Sequence, residues 1–107
     1  MKLLLLGAAL ASAPGYACDT HPEIARAAVS CSVNQATALE RSGETADLVA
    51  IAAVSSCAAK FIQYRESQKD CPNSSLEGAM KLTDHLRETA KRAAITTVIR
   101  IRAASPP

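Results

Sequence analysis

The stretch that decides the fold runs from residue 31 to residue 57, CSVNQATALERSGETADLVAIAAVSSC. It begins and ends with a cysteine, and near its middle Ser42-Gly43 is a pair typical of helix ends. The alanine-rich segments on either side of this pair have apolar residues at helical spacing. We therefore expect two antiparallel helices joined by a short turn near residue 44.

The four cysteines fit this hairpin as two nested disulfide bonds. In a hairpin whose turn is centred near residue 44, two residues lie side by side when their numbers sum to about 88. Cys31 and Cys57 meet this condition, and Cys18 and Cys71 meet it within one residue. Closing the loop between Cys31 and Cys57 stabilises the fold by about 3.5 kcal/mol in the chain-entropy model. The sequence predicts the pairs Cys31–Cys57 and Cys18–Cys71.

Metal binding and thiol redox chemistry are the alternative uses of four cysteines. Structural zinc sites favour C-x2-C pairs, and redox sites use C-x-x-C, but neither spacing occurs here. The two histidines, His21 and His85, fall on different predicted helices. We therefore predict disulfides, with no metal and no cofactor.

The periodicity predicts an all-α protein, a three-helix antiparallel bundle with helices at about 21–41, 44–69 and 75–103. Thr20-His21-Pro22-Glu23 and Ser74-Ser75-Leu76-Glu77 have the pattern of capping boxes. The β-branched segment 95–102 is also compatible with a strand, but a lone strand has no partner in this chain, so a helix is favoured. Residues 103–107 are expected to be a frayed tail.

The second predicted helix is apolar on two opposite sides, which indicates a helix with two neighbours. We therefore expect it in the middle of the bundle. One side carries Ala46, Ala50, Ala53, Cys57, Phe61 and Tyr64, and the other carries Leu48, Ile51, Ser55, Ala58 and Ile62.

The N-terminus has the order of a secretory signal peptide, with Lys2, an apolar run from residue 3 to 11 and then small residues. Cleavage after Ala17 would make residues 1–17 the signal peptide and leave one helical domain, 18–107. The run is shorter than the ~20 residues that span a bilayer. Gly15 stands where a lipobox has leucine, so lipidation of Cys18 is the less favoured alternative. We expect a periplasmic or secreted bacterial protein, in a compartment where disulfides persist.

The charges are unevenly distributed. Residues 18–80 have a net charge of −3 and residues 81–107 a net charge of +4. A basic segment favours an anionic membrane surface or nucleic acid, although the same charges are explained if this helix packs beside the acidic part of its own chain. Nucleic acid is disfavoured because only 3% of residues are aromatic. The candidate anion-binding residues are Lys81, Lys91, Arg92, Arg100 and Arg102.

No catalytic motif is present: the sequence has no G-x-S-x-G, no glycine-rich phosphate loop and no H-E-x-x-H. The carboxylates lie mainly at predicted helix starts or on solvated faces, and His85 lies opposite the apolar stripe of its helix. We therefore predict no catalytic residue and no enzymatic activity.

Two leftover apolar strips are candidates for a partner surface, with an unknown protein or a second copy as the partner. One lies on the first helix opposite its cysteine, and the other on the back of the third helix. Their residues are Val29, Val33 and Ala36, and Ile95 and Ile99. The alternative is that these strips pack on each other, or that their residues are singly exposed, as is normal for a protein surface.

Further features repeat a known pattern: the two cysteines of the hairpin, Ser42-Gly43-Glu44, the run Val49-Ala50-Ile51-Ala52-Ala53, and the helix from Ala94 to Ala103. In these the chain resembles uncharacterised small exported alanine-rich helical proteins of proteobacteria, over about half of its exported part. The resemblance implies export and a helical fold but no activity, and Cys18 and Cys71 lie outside the pattern.

These observations predict a non-enzymatic exported helical protein that acts through protein–protein contact, such as an envelope accessory, inhibitor or immunity-type protein. The alternative is a binder of anionic surfaces, membrane or nucleic acid, that uses the basic third helix.

Overall fold

A computed structural model describes residues 21–105 of the chain. Helices are the only regular secondary structure in this part, which contains no strand, and this confirms the all-α prediction. The helices are α1 (Pro22–Leu39), α2 (Ala46–Ser56), α3 (Ala58–Ser67) and α4 (Leu76–Ala104). Short 3-10 turns, Glu40–Ser42 and Gln68–Asp70, follow α1 and α3. The predicted signal peptide and Cys18 lie outside the described residues.

The predicted middle helix, 44–69, is wrong as a single element, so the described residues form four helices and not three. The chain bends by 59° between α2 and α3. At the bend Cys57 leaves the α-helical conformation (φ −105°, ψ 20°), and its N–H bonds to the Val54 carbonyl at 3.0 Å. The hydroxyl of Ser56 donates to the Ala52 carbonyl at 2.9 Å, a back-bond that often accompanies bent helices.

The Cys31–Cys57 disulfide is confirmed, with its two Cα atoms 6.1 Å apart. It joins the middle of α1 to the bend, so the hairpin is held at the point where its second arm changes direction. Cys71 is not a free thiol. The predicted outer pair, Cys18–Cys71, involves a residue outside the described range and stays a prediction.

Helix ends differ slightly from the predicted capping boxes. At α1 the cap is His21, without a side-chain hydrogen bond to the backbone. Ser75 caps α4 by accepting from the Gly78 N–H at 3.0 Å, one residue later than predicted. The turn after α1 ends at Gly43, whose φ of +80° suits a residue without a side chain. The segment 95–102 is helical, and α4 extends to Ala104.

Two apolar clusters hold the helices together. One contains Ala36 and Val98 with part of α2, and the other contains Ala28, Cys57, Phe61 and Ala90. The residue numbers of contacting positions increase together along α1 and α4, since Ala28 shares a cluster with Ala90 and Ala36 shares one with Val98. Just beyond the end of α1, Arg102 donates to the Glu40 carbonyl at 3.0 Å. Hence α1 and α4 run parallel, while α2 returns antiparallel to α1.

Among residues 21–105, no single helix is long and apolar enough to cross a membrane. Only α2 and α3 with the turn that follows, taken together across their bend, reach the required length and hydropathy.

Replacing the cross-link with Cys31→Ala and Cys57→Ala should lower the free energy of unfolding by about 3.5 kcal/mol, because the unfolded chain regains the entropy of an open loop. Urea denaturation of the non-reduced protein measures the loss. An Ala58→Ser variant, at an exposed position beside the bend, should change it by less than about 0.5 kcal/mol. A double variant as stable as the wild type would contradict the assigned role of this bond.

Candidate functional site

Among residues 21–105, one side of α2 and α3 is exposed and largely apolar, and we call this side the outer face. Its three large members, Leu48, Ile51 and Ile62, are 50%, 44% and 46% exposed. The smaller members between them are exposed as well, and none of the seven is charged. The outer face consists of Leu48, Ile51, Ala52, Ser55, Ala58, Ala59 and Ile62.

The opposite side of the same two helices is buried. Ala50, Ala53, Cys57 and Phe61 are at most 2% exposed and pack against α1 and α4. The expectation of neighbours on both sides is therefore met on one side only, within the part of the chain that the structure describes. The sequence showed the apolar character of the outer face, but not that no other part of residues 21–105 covers it.

The predicted partner strips are only partly available. Ala36 is fully buried between α2 and α4, so its assignment to a partner surface is wrong. Val29 and Val33 are half-buried, and Val29 packs against the cluster around Phe61. These positions are covered because α1 contacts α4 and both arms of the bent hairpin.

The strip on α4 divides in the same way. Ile95 packs against the first core cluster, whereas Ile99 is 54% exposed. The two residues lie one turn apart, at the edge of the surface that α4 buries against the other helices. Helical periodicity alone does not predict where that edge lies.

A shallow groove opens between α1 and α4. It has a volume of about 350 Å³ and is lined by Ala25, Arg26, Val29, Ser30 and Leu86. Its walls are aliphatic apart from Arg26 and Ser30, so it offers few polar groups to orient a small ligand.

Three of the five predicted anion-binding residues already have carboxylate partners. Lys81 lies 3.4 Å from Glu77, Lys91 3.5 Å from Asp47, and Arg102 3.5 Å from Glu40. The last two pairs join α4 to acidic residues of earlier elements, as expected if the basic helix packs beside the acidic part of its own chain. Arg92 and Arg100 are exposed, without an ion pair among residues 21–105.

His21 lies between two carboxylates at the start of α1. Its Nε2 is 2.9 Å from Asp70 Oδ2, and its Nδ1 is 3.5 Å from Glu23 Oε1. The hydrogen bond to Asp70, and the charges of both carboxylates, raise the pKa of His21 above its ordinary value. The contact ties the first residue described to the turn that precedes Cys71.

The other chemistry-bearing side chains are dispersed. Within the described range, no three His, Cys, Asp or Glu side chains come together as a possible metal site. His85 is exposed on α4. The described residues therefore form an all-helical domain, and their candidate site is the exposed apolar outer face.

The chain matches no protein-family model, no curated protein and no solved structure.

The His21 contact should stabilise the fold most at mildly acidic pH. A raised pKa in the folded state means that stability is fully present below the unfolded pKa of about 6.5 and is lost as pH rises through the folded value. The difference in unfolding free energy between wild type and His21→Gln should therefore be larger at about pH 5.5 than at about pH 8.5. Urea denaturation at both values measures it.

His85→Gln is the matched control, since His85 is an exposed histidine on another helix with no ion pair in the described part of the chain. If both variants lose the same stability at the same pH, the Asp70 contact is not the cause.

Proposed function

We propose that this chain is a non-enzymatic exported protein that acts through protein–protein contact, as an envelope accessory, inhibitor or immunity-type protein does. The observation that carries the proposal is the outer face of α2 and α3. This face consists of seven uncharged residues, spaced at helical intervals between Leu48 and Ile62, and all seven are exposed.

The composition of this face is unusual for a solvated helix surface, which normally carries charged or polar residues. Leu48, Ile51 and Ile62 are about half exposed, so covering them would contribute roughly 1 kcal/mol each from the remaining apolar area. The small residues between them allow the backbone of a partner to approach closely. Burial by a partner is thus favourable, since Ser55 is the one polar side chain among the seven members of the face.

Binding of anionic surfaces by α4 is the second candidate. Its support is the pair of exposed arginines, Arg92 and Arg100, which have no ion pair within residues 21–105. Because Lys81, Lys91 and Arg102 are engaged with carboxylates, this surface offers less free charge than the sequence indicates.

Export and the outer disulfide belong to the same proposal. We propose that residues 1–17 are removed as a signal peptide and that Cys18 pairs with Cys71 in the periplasm or outside the cell. The Cys31–Cys57 bond fits an oxidising compartment. The contact between His21 and Asp70, 2.9 Å long, supports a chain that passes close to Cys71 just before α1.

Intact-mass and peptide mapping test the outer bond. The protein recovered from the periplasm should begin at Cys18, and digestion without reductant should give a peptide pair containing Cys18 and Cys71. A Cys18–Cys31 link, a free thiol at Cys71 or a lipid mass on Cys18 would contradict this arrangement. The bond between Cys31 and Cys57 serves as the internal control for oxidation.

Charge on the outer face should abolish the proposed contact. In a pull-down from periplasmic extract, Ile51→Glu with Ile62→Glu should reduce recovery of a partner by about tenfold or more, because buried carboxylates lose their hydration. The matched control, Asn34→Glu with Gln63→Glu, adds the same charge at exposed positions outside the face and should retain binding. Circular dichroism checks that both variants are folded.

The salt dependence separates the two candidate functions. Recovery through the outer face should persist at about 0.5 M salt, where exposed charges are screened. Equal binding by both double variants would contradict the proposed face. Retention only on anionic vesicles or DNA, lost at that salt concentration, would favour the α4 alternative.

A further inference from the structure

The outer face is symmetric in its spacing about Ser55. Its other six members form three pairs, which lie seven, four and three residues to either side of Ser55. The pairs are Leu48 with Ile62, Ile51 with Ala59, and Ala52 with Ala58. The positions follow from helical spacing, whereas the order of sizes is particular to this chain. Small residues lie nearest the centre of the face, and a large residue lies at each end.

A second copy of the chain fits such a face when a twofold axis passes beside Ser55. In a twofold dimer the same surface is used by both copies, and every contact occurs twice. In the antiparallel order, α2 of one copy lies along α3 of the other. Ile51 then lies opposite Ala59, a large side chain against a small one, and Leu48 lies opposite Ile62. The small residues beside the axis allow the two helices to approach closely.

The polar member of the face also has a partner in this arrangement. Ser55 lies on the axis, beside the same residue of the second copy. Because a hydroxyl both donates and accepts, the two side chains can hydrogen-bond to each other. An apolar partner surface would instead bury this hydroxyl without an acceptor, which is unfavourable.

The charges around the face favour the antiparallel order. Residues 44–56 have a net charge of −2, and residues 58–70 have a net charge of +1. Placing α2 beside α3 of the second copy brings opposite charges together, whereas α2 beside α2 would bring like charges together. The register also places Glu44 opposite Glu66, and Lys69 offsets that repulsion because its Nζ is 2.9 Å from Glu66 Oε1.

The size of the face indicates a weak dimer. Seven residues a side are fewer than the ~20–30 of a standard-size interface. An obligate dimer would need a larger surface, so monomer and dimer should exchange. We expect a Kd on the order of 100 μM.

We propose that the outer face binds a second copy of this chain, antiparallel, about a twofold axis at Ser55. The inference rests on the proposed contact function and names the partner of that same face. The outer face of one chain is thus half of an interface, and the contact site is complete only in the dimer.

Sedimentation equilibrium of the full exported protein tests the dimer and its register. Leu48→Glu with Ile62→Glu should weaken dimerisation about tenfold or more, because carboxylates of the two copies then face each other. Leu48→Glu with Ile62→Lys should dimerise about tenfold more tightly than that variant, since opposite charges then face each other at both ends. In a parallel dimer the second variant would bring like charges together instead.

The matched control is Asn34→Glu with Thr89→Lys, which introduces the same two charges at exposed positions outside the face. It should dimerise as the wild type does. Circular dichroism checks that each variant is folded. If a variant fails to fold, isotope-filtered NOE spectra of mixed labelled and unlabelled wild type decide the register. They should show contacts between copies from Ile51 to Ala59 and from Leu48 to Ile62.

A wild type that stays monomeric at about 1 mM overturns the inference. So does a folded double-glutamate variant that dimerises as the wild type does, a glutamate–lysine variant that dimerises no better than it, or contacts between copies at other residues. If a monomeric wild type still captures another periplasmic protein through the outer face, the second copy is wrong and the proposed function stands. If it captures nothing, both are wrong.

Discussion

The Cys31–Cys57 bond is the constraint on which the rest of this structure depends, because the core it closes is thin. Within residues 21–105, seven of the eleven buried apolar residues are alanines, and a buried methyl contributes only about 0.8 kcal/mol. Ordering the backbone of one residue costs about 1–2 kcal/mol. A core of this composition leaves a small margin, so a cross-link that removes conformations from the unfolded chain is a large part of the stability.

The same bond lies at the point where the second arm of the hairpin bends. Beyond the 59° bend, α3 places Phe61 in a cluster with Ala28 and Ala90. Phe61 is the only phenylalanine and is fully buried. Arg87 lies over its ring at 5.6 Å from the centroid. The bend thus places the largest apolar side chain of the core where three helices meet.

How much of this follows from the sequence depends on whether the interaction is local. The turn at Gly43 and the pairing of Cys31 with Cys57 were predictable, because a short connection fixes which positions of two helices lie level. The bend was not predictable, because Cys57 belongs to the same apolar stripe as the residues before and after the bend. The preceding Ser55-Ser56 was the only local indication, and serines are common in straight helices.

The surfaces were harder to predict for a different physical reason. Alanine is compatible with a core and with a solvated face, so Ala36 was assigned to the surface although α2 and α4 cover it. The ion pairs of Lys91 and Arg102 join residues far apart in the chain, and periodicity says nothing about such partners.

The outer face depends on the direction of α3. Phe61 and Ile62 are neighbours on this helix, and the bend at Cys57 sets the direction of both side chains. Phe61 is fully buried in the cluster with Ala28 and Ala90, whereas Ile62 stays 46% exposed. A core built mainly of alanine can accept such a bend, because small side chains allow the helices to pack closely on both sides of it. A core with few large side chains is therefore compatible with a bent hairpin that buries Phe61 and leaves an exposed apolar face along α2 and α3.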